Sequence, residues 1–301
     1  MRDVKNMLRW MIGCVVLALT ATTSAAQPGA ELSPLASTLK VMTFNIRFGT
    51  ANDGENSWPM RRDVVLDVID DHDADILGLQ EALDGQIREI IAGVPGYAVI
   101  GVGRDDGRTS GEYTAILYKA DRFTVDDAGT FWLSDTPGEV ASVTWGNSIT
   151  RICTWARLVE LDSGRGVYVF NAHLDHVSQP SRERSTELIA ERVVNRDVPA
   201  DPVVVMGDFN AGEQNPAMLS LLENEAAHLV NAFREAKPDE RSVGTFNGFQ
   251  GRVDGEMIDH VFVTHDFDVI DAGIDRTHRN GRYPSDHFPV WASLRYPGAE
   301  D

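Results

Sequence analysis

Short apolar runs that end in a polar residue recur along this 301-residue chain, and they constrain its fold more than any other feature. LKVMTFNIRF, ADILGLQE, YAVIGVG, EYTAILYK, ICTWARLVEL, GVYVFNAHLDH, PVVVMGDFN, MIDHVFVTH and FPVWASLRY are rich in β-branched and aromatic residues and read as strands. Between them, SWPMRRDVVLDVIDDHD, ALDGQIREIIAGV, SRERSTELIAERVVNR and NPAMLSLLENE read as helices. Val64, Val65, Val68 and Ile69 form a stripe at helical spacing and are predicted core positions. Strands come in adjacent pairs as well as alternating with helices, and no glycine-rich phosphate loop opens a helix after the first strand. VGRDDGRTSG has glycines without the required spacing. The pattern predicts an α/β chain of two packed sheets with helices outside.

The first 26 residues carry Arg2, Lys5 and Arg9, then an apolar segment, then Ser24-Ala25-Ala26, the pattern of a signal peptide for Sec export to the periplasm or exterior. The apolar segment is about a dozen residues, too short for a membrane span of roughly 20, so no stable membrane insertion is expected. Residues 27–38 read as a flexible N-terminal segment and 39–298 as a single domain. The net charge is −19, and removal of a segment with three basic residues and one acidic residue makes it −21. That balance disfavours sequence-independent nucleic-acid binding, which needs Lys and Arg to neutralise phosphates. It leaves room for a small phosphorylated ligand held by a few local cations. Past the signal, Cys153 is the one cysteine, so no internal disulfide can form.

In PVVVMGDFNA, side-chain alternation places Asp208 and Asn210 on one side of an extended chain with Phe209 on the other. Similar polar endings recur at Asn45, Glu81, His173, Asp259, and the pair Asp286 and His287. Singly, each reads as a turn or surface residue. Together, if the strand ends converge, they offer hard oxygen ligands suited to Mg2+ or Mn2+ and imidazoles able to hold or move protons. Those are the parts of metal-assisted phosphoester hydrolysis.

In order along the chain, MTFNIR, LGLQE, NAHLDH, MGDFN, IDHV and SDHFPV strongly resemble the endonuclease/exonuclease/phosphatase superfamily, which includes deoxyribonucleases, inositol polyphosphate phosphatases and nocturnin-like enzymes. The resemblance implies a four-layer α/β/β/α sandwich, two mixed sheets flanked by helices, with the site at one end. It implies Glu81 as the principal Mg2+ ligand, with Asn45 beside it or on the phosphate. Asp286 is expected on the metal or orienting its neighbour. His287 and Asp208 would handle the attacking water, with Asp259 behind His287. Asn210 and His173 would stabilise the phosphorus, Glu112 would pair with His173, and Arg151 would clamp phosphate.

TFNIRFGTANDGENSWPMRRDVV resembles secreted bacterial members related to the nocturnin and deadenylase type, and there Trp58 and Arg61 or Arg62 are expected to line the substrate pocket. The same stretch also reads as a helix start, with Ser57 as cap and Pro59 in the first turn. Trp132 and Trp145 are either stacking platforms for a base or sugar, or core. The resulting expectation is an exported Mg2+-dependent phosphoesterase acting on small phosphorylated substrates. An exported nuclease and a non-catalytic phospholigand-binding module are the alternatives, and oligomeric state is left open.

Overall fold

The computed structural model describes residues 38–296; the expected signal peptide and nearly all of the segment at 27–38 lie outside the described residues. In chain order the elements are β1 (Thr38–Asn45), α1 (Trp58–His72), β2 (Ile76–Ala82), α2 (Asp84–Gly93), β3 (Tyr97–Ile100), β4 (Tyr113–Lys119), β5 (Phe123–Trp132) and β6 (Ile152–Glu160). There follow β7 (Gly166–His173), α3 (Gln179–Val194), β8 (Val203–Asp208), α4 (Pro216–Leu222), β9 (Leu229–Asn231), α5 (Ala232–Ala236), β10 (Asp259–Thr264), β11 (Asp268–Ile274) and β12 (Val290–Arg295). Two six-stranded sheets result, in the orders β11-β12-β1-β2-β4-β3 and β5-β6-β7-β8-β10-β9. Each has one parallel pair at its centre, β1 with β2 and β7 with β8, and antiparallel neighbours elsewhere. This is the expected mixed four-layer architecture. Among the described residues, no helix is long and apolar enough to cross a membrane.

Alternation along the strands separates three apolar layers. Val41, Ile76, Val169, Val204 and Val261 meet between the sheets. Met42, Phe44, Leu77 and Leu79 face Val65, Val68 and Ile69 of α1. Tyr168, Phe170, Val203 and Val205 face Ile189 and Val193 of α3. β5, β9 and β11, which the sequence pattern does not mark, are all edge strands. One flank of an edge strand faces solvent, so it tolerates the charges and breaks that erase alternation. β5 carries Asp126, Asp127 and a bulge, while β11 carries Asp268, Asp271 and another.

Toward one end of the sandwich, the space between the sheets changes from apolar to polar in steps of two residues. On β1 the inward series is Val41, Thr43, Asn45; on β7 it is Val169, Asn171, His173; on β8 it is Val204, Met206, Asp208. The middle layer is an amide clamp. Asn171 Nδ2 donates to the carbonyls of Leu79 (2.9 Å) and Ala115 (2.8 Å), and its Oδ1 accepts from Gln80 Nε2 at 2.6 Å. Gly78 makes room for it, because a Cβ there would lie 2.9 Å from the Asn171 amide carbon. Gly207, at φ 150°, lets β8 approach β7 where a Cβ would meet the Ala172 carbonyl oxygen at 2.0 Å. These fits set the spacing of the sheets beneath the site.

We expect Asn171→Ala to lower stability by about 2–3 kcal/mol, the cost of leaving buried polar groups unmatched. Urea unfolding checks this, and a loss below about 0.5 kcal/mol would contradict the clamp.

Candidate active site

Asp208 ends β8 with its side chain buried between the sheets. Its Oδ1 accepts from the backbone N–H of Asn210 at 2.9 Å. Its Oδ2 accepts from Asn45 Nδ2 at 2.9 Å, and lies 3.5 Å from His173 Nε2 and 3.8 Å from His287 Nε2. One carboxylate oxygen is therefore the meeting point of β1, β7, β8 and the chain entering β12. His287 is held from behind by Asp259, which pairs with Asp208 across β8 and β10 and lies 2.8 Å from His287 Nδ1.

Glu81 reaches this point through a backbone irregularity. By alternation it would face α1 beside Leu77 and Leu79, but β2 has a bulge between Gln80 and Ala82, and Glu81 adopts φ 58°. A non-glycine residue in the left-handed region costs energy and is held there by its surroundings. Here Asn45 Nδ2 donates to Glu81 Oε1 (3.1 Å) and the Phe48 N–H to Oε2 (3.2 Å). Asn45 thus gives its amide hydrogens to Glu81 and Asp208 and bridges the two carboxylates. Asp286 lines the same pocket, with Oδ2 3.8 Å from Arg47 Nε.

A cavity of about 550 Å³ opens over these groups. Glu81, Asp286 and Asp208 line it together with Arg104, Glu112, Arg151, His173, His176 and Asn210. Asn210 adopts φ 48° and donates Nδ2 to the Leu174 carbonyl at 3.0 Å, which leaves a second amide hydrogen. Phe209 between the two is buried against the edge of Phe262, as alternation predicts. A groove of about 750 Å³ beside α4 and α5 is larger, but among the described residues its acids and His260 form no cluster of converging ligand atoms.

Several site expectations are corrected. Arg61 is fully buried and donates to the carbonyls of Ile46, Arg47, Asn56 and Pro284. Burial lowers it to about 10, which leaves it charged at neutral pH and in need of all these acceptors. It ties the loop after β1 to the segment before β12 and does not line the pocket. Trp58 is buried with Nε1 on Glu89 (3.3 Å), and Arg62 pairs with Asp63 and Glu89 at the surface. Ser57 occupies the cap position without a side-chain capping bond. Trp132 and Trp145 are both buried, donating to the Arg104 carbonyl and to Asp135. Cys153 is buried, and burial pushes its thiol up, away from reactivity.

Glu112 stands 3.8 Å from His173 Nδ1, but its main partner is Arg104, bound through both oxygens at 2.7 and 2.8 Å. Arg104 and His176 are functional candidates that the sequence reading missed. Arg104 returns to Glu112 through the loop VGRDDGRTSG, closed by Arg104 N–H to the Glu112 carbonyl at 3.1 Å. The signal was an arginine in a glycine-rich loop before a strand, which alone has no direction. Arg151 is buried, with Nη2 2.8 Å from His176 Nδ1 and Nε 3.4 Å from Asp175.

The electrostatics divide the two imidazoles. Burial, then the charges of Arg151 and Arg104, hold His173 well below the usual histidine range, so it is neutral. Burial also opposes charge on His287, yet Asp259, Asp208 and Asp286 together outweigh it and raise that imidazole well above its usual range. Burial, then Asp259, pushes Asp208 up to about 7. Burial, and further along the Glu81 charge, raises Asp286. Acids that hold protons because of one another are relieved by a cation. Glu81, His173 and Asp208 present ligand atoms all within 4.8 Å of one another, and the donors are mostly hard oxygens without thiols. The residues fit a divalent ion.

The chain matches the Endonuclease/Exonuclease/phosphatase family over residues 42–287. It belongs to that family. An endonuclease/exonuclease/phosphatase from Bacteroides vulgatus is 36% identical with a TM-score of 0.80, the match covering 86% of this chain and 99% of that one. The mannosyl-6-phosphatase of Bacteroides thetaiotaomicron is 33% identical with a TM-score of 0.78, covering 86% and 100%. Nocturnin of Drosophila melanogaster is 24% identical over 305 aligned positions, spanning 84% of this chain and 46% of its own length. Family members are metal-dependent hydrolases of phosphoester bonds, in keeping with the acids and imidazoles gathered here.

A proton on Asp208 competes with a cation. Divalent-ion affinity should therefore rise as pH increases through about 7 and level off above it, with proton release on binding. Calorimetric titration in buffers of different ionisation enthalpy measures both. Asp259→Asn removes a charge that holds the proton on Asp208, so its rise should begin at lower pH.

Proposed function

We propose that this chain is an exported, Mg2+-dependent phosphoesterase that hydrolyses small phosphorylated substrates by in-line attack of water, with Mn2+ able to replace Mg2+. The observation that carries this reading is Asp208 Oδ2, within 3.8 Å of both His173 Nε2 and His287 Nε2, in a cavity that is also lined by Glu81, Asp286 and the guanidiniums of Arg47, Arg104 and Arg151. Export is supported by the basic, apolar and small-residue order of the first 26 residues.

Glu81 would hold the ion, with Asp286 and Asp208 beside it. When bound, the ion supplies charge that offsets the phosphoryl and leaving-group oxygens. Asp259 keeps the Nδ1–H of His287 directed to itself, so Nε2 faces Asp208. A water seated between Asp208 Oδ2 and His287 Nε2 gives a proton to the Asp208 carboxylate. Its oxygen bonds to phosphorus as the opposite P–O ester bond breaks, and the departing oxygen takes a proton from solvent. Arg151, neutral His173 and the remaining amide hydrogen of Asn210 face the non-bridging oxygens, where fixed donors lower the barrier most. Two guanidiniums, Arg104 and Arg151, give an anion a local destination in a strongly acidic chain.

Glu81→Gln and His287→Ala should each cut turnover by about 100-fold or more while circular dichroism stays native. Assays with p-nitrophenyl phosphate, bis-p-nitrophenyl phosphate and single-stranded RNA, with EDTA controls, test the class. Cleavage of RNA alone with steep salt dependence would make the chain a nuclease. EDTA-insensitive turnover, or near-normal rates in either folded variant, would defeat the assignment.

A further inference from the structure

Arg47, two residues past the end of β1, places a fixed cation among the acids of the site. Its backbone is in the left-handed region at φ 57°, a costly conformation for a residue other than glycine. That conformation is held from both sides: the Arg47 N–H donates to Asn45 Oδ1 (3.0 Å), and its carbonyl accepts from Arg61 Nη2 (2.8 Å) and Gln86 Nε2 (3.0 Å). The side chain is anchored as well, with Nε and Nη2 donating to the two oxygens of Asp53 at 3.0 and 3.1 Å. So held, the guanidinium stands 3.9 Å from Glu81 Oε2 and 3.8 Å from Asp286 Oδ2. Both separations exceed a hydrogen bond, so the charge of Arg47 acts on two acids without consuming an oxygen of either. Among the described residues, two groups of potential ligands occur: Glu81 with His173 and Asp208, and Asp208 with Asp259 and His287. They share Asp208, and in the second group His287 Nδ1 and Asp259 Oδ2, 2.8 Å apart, satisfy each other. The first group is the one left open to a divalent ion.

We propose that Arg47 is a positioning residue that serves as the second cation of this site: its guanidinium supplies, beside Glu81 and Asp286, the charge that a second divalent ion would otherwise supply, and so limits the protein to one ion. This rests on the metal-dependent reading above. An arginine stays charged at every working pH, and Asp53 fixes where that charge sits, so it offsets the acids whatever the ion concentration. The arrangement also sets the direction of two changes. Removing the guanidinium removes repulsion toward an incoming ion. Removing the Asp53 charge frees the guanidinium to close on Glu81 and Asp286 and compete with the ion.

Equilibrium dialysis against Mn2+, with free ion read by electron paramagnetic resonance, counts bound ions without substrate. Wild type and Arg47→Lys should each hold one ion. Arg47→Met should hold two, the first bound about tenfold more tightly than in wild type. Asp53→Asn should hold one, bound about tenfold more weakly, and it carries the test if circular dichroism shows that Arg47→Met does not fold. Two ions on wild type, one ion on folded Arg47→Met, or wild-type affinity in Asp53→Asn would each overturn the inference. One ion on Arg47→Met together with a raised KM for p-nitrophenyl phosphate would make Arg47 a phosphate contact instead. Wild type that binds no Mn2+ would defeat the metal-dependent reading itself. One bound ion without hydrolysis of any phosphoester would defeat the phosphoesterase reading and leave this inference standing.

Discussion

The hydrogen bond from Asn45 to Asp208 joins the two sheets where their apolar interface ends. It depends on the layer beneath, in which Asn171 of one sheet binds the backbone of two strands of the other. Because the same Asn45 amide also reaches Glu81, a single side chain fixes the distance between an acid from each sheet. Buried polar groups are costly unless matched, so this chain of amides and acids permits few other relative positions of the sheets. The precision of the site is thus a property of sheet packing.

That packing also assigns proton states. His173 and His287 stand on either side of Asp208 Oδ2, yet one lies under two guanidiniums and the other among three carboxylates. Identical side chains are driven to different charge states, one neutral and one cationic, by their different neighbours. Arg47, Arg104 and Arg151 line the same cavity as the acids, so a chain of net charge −19 still gathers guanidiniums at the site.

Much of this was legible beforehand. The strand-end residues Asn45, Glu81, His173, Asp208, Asn210, Asp259, Asp286 and His287 do converge, because a strand end is marked by the break in its own apolar pattern. Arg104 was not legible, since it sits in a loop whose direction is set by how the chain folds back onto Glu112 and by Trp132 further along. Trp58 and Arg61 misled because conspicuous residues beside a motif need not share its cavity. Arg61 is consumed by four carbonyls that no local pattern announces. The edge strands β5, β9 and β11 escaped notice because an exposed flank relaxes the periodicity that reveals a strand.

By itself, the sequence determined which residues lie on central strands, which helix faces are apolar, and which strands end in groups able to bind metal or move protons, since each follows from a period of two or 3.6 residues. Only the tertiary structure decided where Glu81 points, because a bulge reverses the face that alternation assigns it. It alone decided that Asn45 bridges two acids, that Glu112 belongs first to Arg104, and that His173 and His287 differ in charge. Most of those outcomes depend on distances between groups separated by tens to hundreds of residues, and even the Arg104–Glu112 pair is set by how its loop folds back; electrostatics and hydrogen bonding act through space, to which sequence spacing is blind.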